Sequence, residues 1–223
     1  MLRIAIDGPA GAGKSTVARI VAEKLGSVYI DTGAMYRALT LAALERDVDL
    51  TNQVVLVEIL RDMRLEILPG SSGNQIYIDG KNVTARIREP RISENVSLVS
   101  SHPLVREAVV AMQQEMAKQD NVVMDGRDIG TVVMPDADLK FFLQASVEVR
   151  AQRRGLELQK KGYVVSLEEL AEKIRQRDEF DSTREASPLR KADDAIEIDT
   201  TNLTIDEVVD LILCYCKGRG VCV

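Results

Sequence analysis

The sequence has few aromatic residues and no tryptophan: Phe, Trp and Tyr together make up 4% of its 223 residues. Aliphatic side chains and alanine must therefore build the core. Its only histidine, His102, precedes Pro103 and indicates a helix entry rather than a catalytic base. The three cysteines, Cys214, Cys216 and Cys222, form no C-x-x-C pair, and their odd number argues against a disulfide framework or a zinc site.

Long apolar runs are also missing, so the chain lacks the pattern of a signal peptide or of a membrane span. The formal net charge is −6, which argues against a protein that grips a nucleic-acid backbone through bulk positive charge. We therefore expect a soluble, intracellular protein with reduced thiols.

A phosphate-binding pattern, G-x-x-x-x-G-K-S, occupies residues 8–15. Gly8, Gly11 and Gly13 lack side chains that would block a polyphosphate, and glycine reaches the positive φ angles that such a loop needs. Lys14 offers a positive charge to the β- and γ-phosphates, and the Ser15 hydroxyl can coordinate Mg²⁺. A glycine-rich turn without ligand is the alternative interpretation.

The flanking residues favour the phosphate-binding interpretation. Leu2, Ile4 and Ile6 predict a buried strand before the loop, and the apolar spacing of 16–25 predicts a helix that stops at Gly26. Strand, glycine loop and helix in this order place a helix N-terminus at the phosphates.

Strands alternate with helices along most of the chain, which predicts a parallel sheet covered by helices on both faces. Further strands are predicted at 28–30, 122–124, 139–143 and 195–198, and further helices at 34–44, 103–118, 146–159, 167–180 and 205–215. Residues 59–99 break this rhythm with short strand-like runs and turns, and predict a small antiparallel insert. The core is then 1–58 and 100–223.

Charged side chains follow two of these strands. Thr32 can cap the helix after the second strand, and Arg37 lies one turn into it. Asp125, Arg127 and Asp128 form a compact charged loop between glycines after the third strand. Because parallel strands hold ligands at their carboxyl ends, we expect both segments to contribute to one site. A capped helix and a solvated turn are the alternatives.

Two rows of arginines lie at helical spacing. Arg150, Arg153 and Arg154 share one helix face, and Arg177 and Arg184 share another with Asp181. A solvated basic face and mutual ion pairing are the ordinary explanations. A phosphoryl-transfer enzyme, however, needs cations that stabilise the transferring group. The absence of an H-R-D motif suits a phosphate acceptor, which is already anionic near neutral pH.

The segments G-P-A-G-A-G-K-S, I-D-T-G-A-M-Y-R, D-G-R-D-I-G-T-V-V and R-D-E-F-D-S-T-R, in this order, resemble the bacterial cytidylate kinase family over nearly the whole chain. The resemblance implies a P-loop kinase core with a nucleoside-monophosphate-binding insert at 59–99 and a helical lid at about 148–164. It also implies transfer of the γ-phosphate of ATP to CMP or dCMP with Mg²⁺, in a cytoplasmic enzyme of pyrimidine metabolism. We expect a monomer without nucleic-acid or membrane partners.

The resemblance also assigns roles to individual positions. Residues that match the family's acceptor-phosphate, base and sugar sites are Thr32, Arg37, Ser97, Arg106, Arg127, Asp128, Asp181 and Arg184. The expected ATP site comprises Gly8, Pro9, Ala10, Gly11, Ala12, Gly13, Lys14, Ser15 and Thr16, with Ser15 as the Mg²⁺ ligand. The expected catalytic cations are Lys14, Arg127, Arg177, Arg153 and Arg154, the last two on the lid. The acid that assists Ser15 stays open.

Two other classes compete with this interpretation. An adenylate or shikimate type of kinase could use the same core. A P-loop switch protein would instead need a guanine-reading N-K-x-D motif or a water-orienting glutamine; neither the motif nor a glutamine directly after Asp125-Gly126 is present.

Overall fold

The computed structural model describes residues 1–70, 73–160 and 162–220. In chain order its elements are β1 (Arg3–Asp7), α1 (Lys14–Lys24), β2 (Val28–Asp31), α2 (Thr32–Glu45), α3 (Gln53–Asp62), β3 (Leu65–Leu68), β4 (Gln75–Ile78), β5 (Lys81–Asn82), α4 (Pro90–Ser101), α5 (Pro103–Ala117), β6 (Val122–Gly126), β7 (Leu139–Gln144), α6 (Val147–Lys160), α7 (Leu167–Thr183), β8 (Ile196–Asp199) and α8 (Ile205–Gly218). Short 3₁₀ and π-helical turns cover Arg86–Arg88 and Ile129–Val133.

Five parallel strands form the central sheet in the order β2-β6-β1-β7-β8. Ile4 and Ile6 of β1 pack with α1 and α8 on one face, whereas Ala5 packs with α5 residues on the other. This alternation follows from the two-residue period of a strand. The predicted α/β class, with helices on both faces, is confirmed.

The order of the strands determines where a ligand can bind. The connection from β1 to β2 runs toward one edge of the sheet. The later connection from β6 to β7 passes β1 and runs toward the other edge. Asp7 and Gly126 are register partners at the carboxyl ends of β1 and β6. In open α/β sheets a crevice forms at this point, so the carboxyl edge between these strands is the expected binding site.

The predicted antiparallel insert forms a separate three-stranded sheet in the order β3-β4-β5. The helices α3 and α4, which the sequence analysis did not predict, flank this sheet in the chain and pack with α2 and α5 in one apolar cluster. The proposed bounds, 59 and 99, fall inside α3 and α4. We therefore propose 53–101 as the insert with whole helices. Among the helices in the described residues, none is long and apolar enough to cross a membrane.

Candidate active site

A cavity of about 700 Å³ opens at the carboxyl edge of the central sheet. Its wall combines the glycine loop, the start of α2, one face of α4, the loop after β6 and parts of α6, α7 and α8. Almost every predicted site residue lines it, although these residues come from segments far apart in the chain. The cationic side chains in the wall are Lys14, Arg37, Arg88, Arg106, Arg127, Arg153, Arg154, Arg177 and Arg184.

The glycine loop connects β1 to α1 through three glycines with positive φ. Gly8 has φ +145°, and a Cβ there would lie 1.9 Å from the carbonyl oxygen of Leu143 on β7. Gly13 has φ +89° and is the N-cap of α1, so the helix N-terminus opens into the cavity. Close packing at Gly8 and backbone geometry at Gly13 therefore both require glycine. The helix begins at Lys14 rather than at the predicted Thr16.

Lys14 is buried beside the loop, where its Nζ donates a hydrogen bond to the Pro9 carbonyl oxygen at 2.7 Å. Burial, reinforced by the positive charge of Arg127, lowers the pKa of Lys14 to about 7. The carboxylates of Asp125 and Asp7 oppose this effect. A bound anion would favour the charged ammonium, so the site is electrostatically suited to a phosphate.

Asp125 at the end of β6 lies against the glycine loop. Its Oδ2 accepts a hydrogen bond from the Ser15 hydroxyl at 2.8 Å, and its Oδ1 accepts one from the Tyr29 hydroxyl at 2.8 Å. Burial, followed by the neighbouring Asp31 carboxylate, raises the pKa of Asp125 to about 6. The structure thus places an acid beside Ser15, the partner that the sequence left open.

The start of α2 differs from its predicted form. Asp31, not Thr32, caps the helix: its Oδ1 accepts from the amide of Ala34 at 3.0 Å, and the helix begins at Thr32 itself. The Thr32 hydroxyl instead donates to the carbonyl oxygen of Asp125 at 2.6 Å. The other Asp31 oxygen pairs with Arg88 from the insert at 2.8 Å. The prediction of Thr32 as the cap is wrong because the preceding aspartate reaches the helix amides.

Arg37 extends from α2 toward the insert. Its guanidinium donates to the Ser93 hydroxyl at 2.9 Å and to the Ile87 carbonyl oxygen at 3.3 Å. Burial, followed by the charge of Arg177, lowers the pKa of Arg37 to about 9. This side chain is therefore partly desolvated near other cations, and within the described part of the chain no carboxylate forms a hydrogen bond with it.

Arg106 of α5 and Asp128 form a buried ion pair in the cavity wall. The Arg106 guanidinium donates to the Asp128 carboxylate and, at 3.0 Å, to the Ser100 carbonyl oxygen, and it lies 5.3 Å from the centre of the Tyr36 ring. The Tyr36 hydroxyl and the Arg106 Nε are buried and have no hydrogen-bond partner among the described residues. A buried donor without a partner is costly, so these atoms point to a polar ligand.

Asp7 fixes the backbone that follows Asp128. Its two carboxylate oxygens accept from the amides of Ile129 and Gly130 at 2.8 and 2.7 Å. Burial is the largest influence on this group and raises the pKa of Asp7 to about 7, although both hydrogen bonds oppose the shift. The glycine loop and the base of the Arg106–Asp128 pair are therefore connected through one side chain.

Asp181 of α7 is the centre of an arginine cluster. Arg127 donates to it at 3.0 Å, and Arg177 and Arg184 each lie 3.8 Å away. Burial tends to raise the pKa of Asp181, but these three cations outweigh it and the net shift is downward. Three cations around one carboxylate leave positive charge facing the cavity, between the glycine loop and the Arg106–Asp128 pair.

The three arginines of α6 have different environments. Arg150 is buried in an ion pair with Asp178 at 2.6 Å and does not line the cavity. Arg153 donates to Thr200, to its hydroxyl at 3.1 Å and to its carbonyl oxygen at 2.6 Å, and Arg154 pairs with Glu157 at 2.6 Å. The three arginines therefore do not act as one group: Arg150 forms a buried ion pair, and Arg153 and Arg154 line the cavity.

Ser97 of α4 is a predicted binding residue, but its side chain does not line the cavity. Ser93, Val96 and Ser100 do. Ser97 lies on the same helix face, since it follows Ser93 by four residues and precedes Ser100 by three. Its role stays a prediction.

The sequence of this chain resembles known proteins over almost its whole length. The family model for cytidylate kinase matches residues 4–218. Cytidylate kinases of Bacillus cereus (strain ATCC 10987 / NRS 248) and Bacillus thuringiensis (strain Al Hakam) are each 54% identical to the chain over 217 residues, which is 97% of the chain and 96% of each relative.

The chain belongs to the cytidylate kinase family.

The solved structures agree on the fold. A gluconokinase from Sinorhizobium meliloti 1021 superposes with a TM-score of 0.51 at 15% identity, covering 96% of this chain and 90% of that one. A protein from Eubacterium ventriosum ATCC 27560 also gives 0.51, at 14% identity and 97% and 99% coverage. At this identity the likeness shows the kinase fold alone.

Several site residues of this cytidylate kinase family member were not identified from the sequence. Tyr29, Arg88 and Asp7 each act across the fold, on Asp125, Asp31 and the loop after Asp128. The sequence places Asp7 and Tyr29 at or near the ends of predicted strands, but the partner of each becomes visible only when the strand order is known.

Proposed function

We propose that the chain transfers the γ-phosphate of ATP to CMP or dCMP, giving ADP and CDP or dCDP. An oxygen of the acceptor phosphate attacks the γ-phosphorus, and the bond from that phosphorus to the β–γ bridging oxygen breaks, so that the electron pair leaves with ADP. The observation that carries the proposal is that one cavity joins the glycine loop to the buried Arg106–Asp128 pair.

The ATP phosphates would lie on the glycine loop, residues 8–16. The N-terminus of α1 and Lys14 offer positive charge there, and burial lowers the pKa of Lys14 even though the carboxylates of Asp125 and Asp7 lie near it. Charge that builds on the transferring group is then stabilised by groups already in position, which is the main source of catalysis in phosphoryl transfer.

Mg²⁺ fits the Ser15–Asp125 pair. Magnesium is usually held by one or two carboxylates together with substrate phosphates and water, and a hydroxyl 2.8 Å from a buried carboxylate at the glycine loop is such a donor set. When bound there, the ion would supply positive charge that offsets the negative charge of the phosphates. No cluster of three or more His, Cys, Asp or Glu suited to a metal occurs among the described residues.

The acceptor phosphate would lie between Thr32, Arg37 and Arg127, with Arg177 between it and the donor. Each of these side chains lines the same cavity, and burial lowers the pKa of Arg37 and of Arg177, to about 9 and about 10. A dianion placed among them would relieve their mutual repulsion. Since the acceptor is already anionic near neutral pH, the reaction needs no general base.

The cytosine would be read by Arg106 and Asp128. A carboxylate accepts from the exocyclic amino group, and a guanidinium donates to N3, whereas uracil presents the opposite pattern at these two positions. The free Tyr36 hydroxyl and Arg106 Nε support a polar ligand at this depth. Asp181 and Arg184 would bind the sugar side, and Ser97 the base from α4.

The lid of about 148–164 would bring Arg153 and Arg154 onto the phosphates when both substrates are bound. Their present partners are Thr200 and Glu157, so closure exchanges these contacts for phosphate oxygens. We also infer that the enzyme acts as a monomer in the cytoplasm; sedimentation equilibrium tests the first point.

An acceptor panel tests the proposal. ADP release from ATP is measured with CMP, dCMP, UMP, AMP, GMP and shikimate as acceptors, at equal concentration. We expect CMP and dCMP to be good acceptors, UMP to be poor and the others to be inactive. Another acceptor above CMP would indicate a different small-molecule kinase. Slow hydrolysis that ignores every acceptor would indicate a P-loop switch protein.

A further inference from the structure

Tyr29 lies on the sheet face that α1 covers. In β2 it is the register partner of Val123, two residues before Asp125 in the neighbouring strand. Residues two apart in a strand share a face, so Asp125 and Val123 point to the side where Tyr29 also lies. The half-buried Tyr29 ring packs against the apolar cluster to which α1 belongs, and its hydroxyl donates to the Asp125 carboxylate.

The two oxygens of Asp125 therefore have different neighbours. Oδ1 accepts from Tyr29 at 2.8 Å, and Oδ2 faces the Ser15 hydroxyl at the glycine loop, also at 2.8 Å. The backbone of Tyr29 is held from the insert as well, because the Asn74 amide donates to its carbonyl oxygen at 3.0 Å. Rotation of the carboxylate would break the Tyr29 bond.

This division affects which cation the carboxylate can serve. Mg²⁺ demands near-ideal octahedral geometry, whereas Ca²⁺ takes six to eight oxygens and accepts bidentate carboxylates. Oδ1 is held by Tyr29, whereas the partner of Oδ2 is Ser15, the other proposed ligand, so Oδ2 is the oxygen available to the cation. Hydrogen-bonded partners of this kind typically change metal affinity by about 10–100-fold.

We propose that Tyr29 is a positioning residue that makes Asp125 present a single oxygen to the cation and thereby favours Mg²⁺ over Ca²⁺. The inference rests on the proposed function, in which Ser15 and Asp125 hold the ion with the nucleotide.

The test compares Tyr29→Phe with the wild type and with Tyr77→Phe. The control loses an equivalent hydroxyl, which donates to Gln75 in the insert. Binding of MgADP, of CaADP and of ADP with chelator is measured by calorimetry, after thermal unfolding has shown that each protein is folded. We expect Tyr29→Phe to weaken MgADP about tenfold and to leave CaADP and metal-free ADP within about twofold. Tyr77→Phe should change none of them.

An unchanged ratio of the MgADP and CaADP dissociation constants in Tyr29→Phe would overturn the inference. Asp125→Asn separates this failure from that of the proposed metal site. If Asp125→Asn weakens MgADP and Tyr29→Phe does not, only the role of Tyr29 is wrong. If Asp125→Asn leaves MgADP unchanged, the metal assignment itself is wrong, and the inference falls with it.

Discussion

The environment of Lys14 shows how a single residue is prepared for phosphate. Burial costs the ammonium its hydration, and its one hydrogen-bond acceptor within the loop is the neutral Pro9 carbonyl. The pKa falls to about 7 as a result. The ammonium can therefore gain a favourable interaction when a phosphate binds. An enzyme needs this arrangement if the charge is to stabilise the transferring group.

Replacement of Lys14 tests this arrangement. We expect Lys14→Ala to lower kcat by about 10²–10³, since loss of one charge-stabilising contact commonly costs that much. The fold should be retained, because the variant removes a buried charge rather than an apolar contact. Coupled measurement of ADP release with CMP provides kcat, and circular dichroism checks the fold. Lys24→Ala, in the exposed last turn of α1, is the matched control. Activity of Lys14→Ala within a few-fold of the wild type would contradict the assignment.

Asp128 provides a second prediction at this scale. Asp128→Asn keeps an oxygen for Arg106 but adds a donor, which weakens the match to cytosine and relieves the repulsion of uracil. A mismatched buried polar group costs about 1–3 kcal/mol, so we expect the CMP-to-UMP ratio of kcat/KM to fall by about 5- to 150-fold. Kinetics with both acceptors on both proteins provide the ratio. The exposed Asp136→Asn is the control; an equal ratio in all three proteins would remove Asp128 from base reading.

At the scale of elements, periodicity predicted the central sheet and most of its helices within about two residues. The predicted strands at 122–124 and 139–143 differ from β6 and β7 only by small extensions, because their apolar runs are largely buried on both faces. The predicted strand at 28–30 is also present, as the edge strand β2. Helices α3 and α4 were missed. The apolar run of α3 is rich in β-branched residues, which favour strands, and α4 is rich in serine; tertiary packing in the insert overrides both tendencies.

The site was predictable where a local motif carries it and not where the partner is remote. The glycine loop is one continuous segment of the sequence, and so is the charged loop after β6. The bonds from Ser15 and Tyr29 to Asp125 span 110 and 96 residues, and the bond from Asp7 to Ile129 spans 122. Strand order creates these pairs, and no spacing along the chain predicts it.

Helix α6, which we propose as part of a lid, leads to a kinetic prediction. Arg153 and Arg154 line the cavity but are held by Thr200 and Glu157. If they reach the phosphates only on closure, Arg153→Ala and Arg154→Ala should lower kcat more than tenfold and change the KM for ATP less than threefold. Arg175→Ala on α7, whose side chain is half exposed and pairs with Glu148 and Glu172, is the control. Unchanged kcat with weakened ATP binding would make the two arginines ordinary ground-state contacts.

Asp7, which connects β1 to the π-helical turn after Asp128, leads to a pH prediction. Its pKa is raised to about 7 in the folded chain from about 3.8, so the folded state binds more protons than the unfolded state between these values. The stability contribution of Asp7 is then present below about pH 4 and is lost as the pH rises through 7.

We therefore expect the free energy of unfolding of the wild type to fall more steeply from pH 5 to pH 7 than that of Asp7→Asn, by at most about 1.4 kcal/mol per pH unit. Urea unfolding at three pH values provides both slopes. The variant has its own constant cost, since an amide group would face a backbone N–H, so the slope and not the absolute stability is compared. Parallel slopes would show that Asp7 is ionised throughout the range.

On the scale of the whole molecule, positive side chains are concentrated in the cavity although the chain as a whole is acidic. The chain carries a net charge of −6, yet nine cationic side chains of the described residues line one cavity. They come from the core, the insert and the α6–α7 pair, which therefore meet around a cavity of concentrated positive charge. Burial, together with neighbouring cations, lowers the pKa of Arg37, Arg177 and Lys14. A bound phosphate should therefore stabilise the folded molecule as a whole.

A comparison of CMP with cytidine measures the contribution of the acceptor's phosphate separately from that of its nucleoside. A ligand at 100 times its dissociation constant stabilises the folded state by about 2.7 kcal/mol, which raises the Tm of a chain of this size by about 5–10 °C. We expect this shift with CMP and less than about 2 °C with cytidine at the same concentration, because cytidine lacks the dianion that the arginines attract. The CMP shift should shrink in Arg37→Ala and, through screening, in 0.5 M salt, whereas Arg64→Ala, an exposed side chain of the insert, should behave as the wild type. Thermal unfolding with each ligand provides these values. Equal shifts from CMP and cytidine would mean that base contacts, and not the cationic cavity, hold the acceptor.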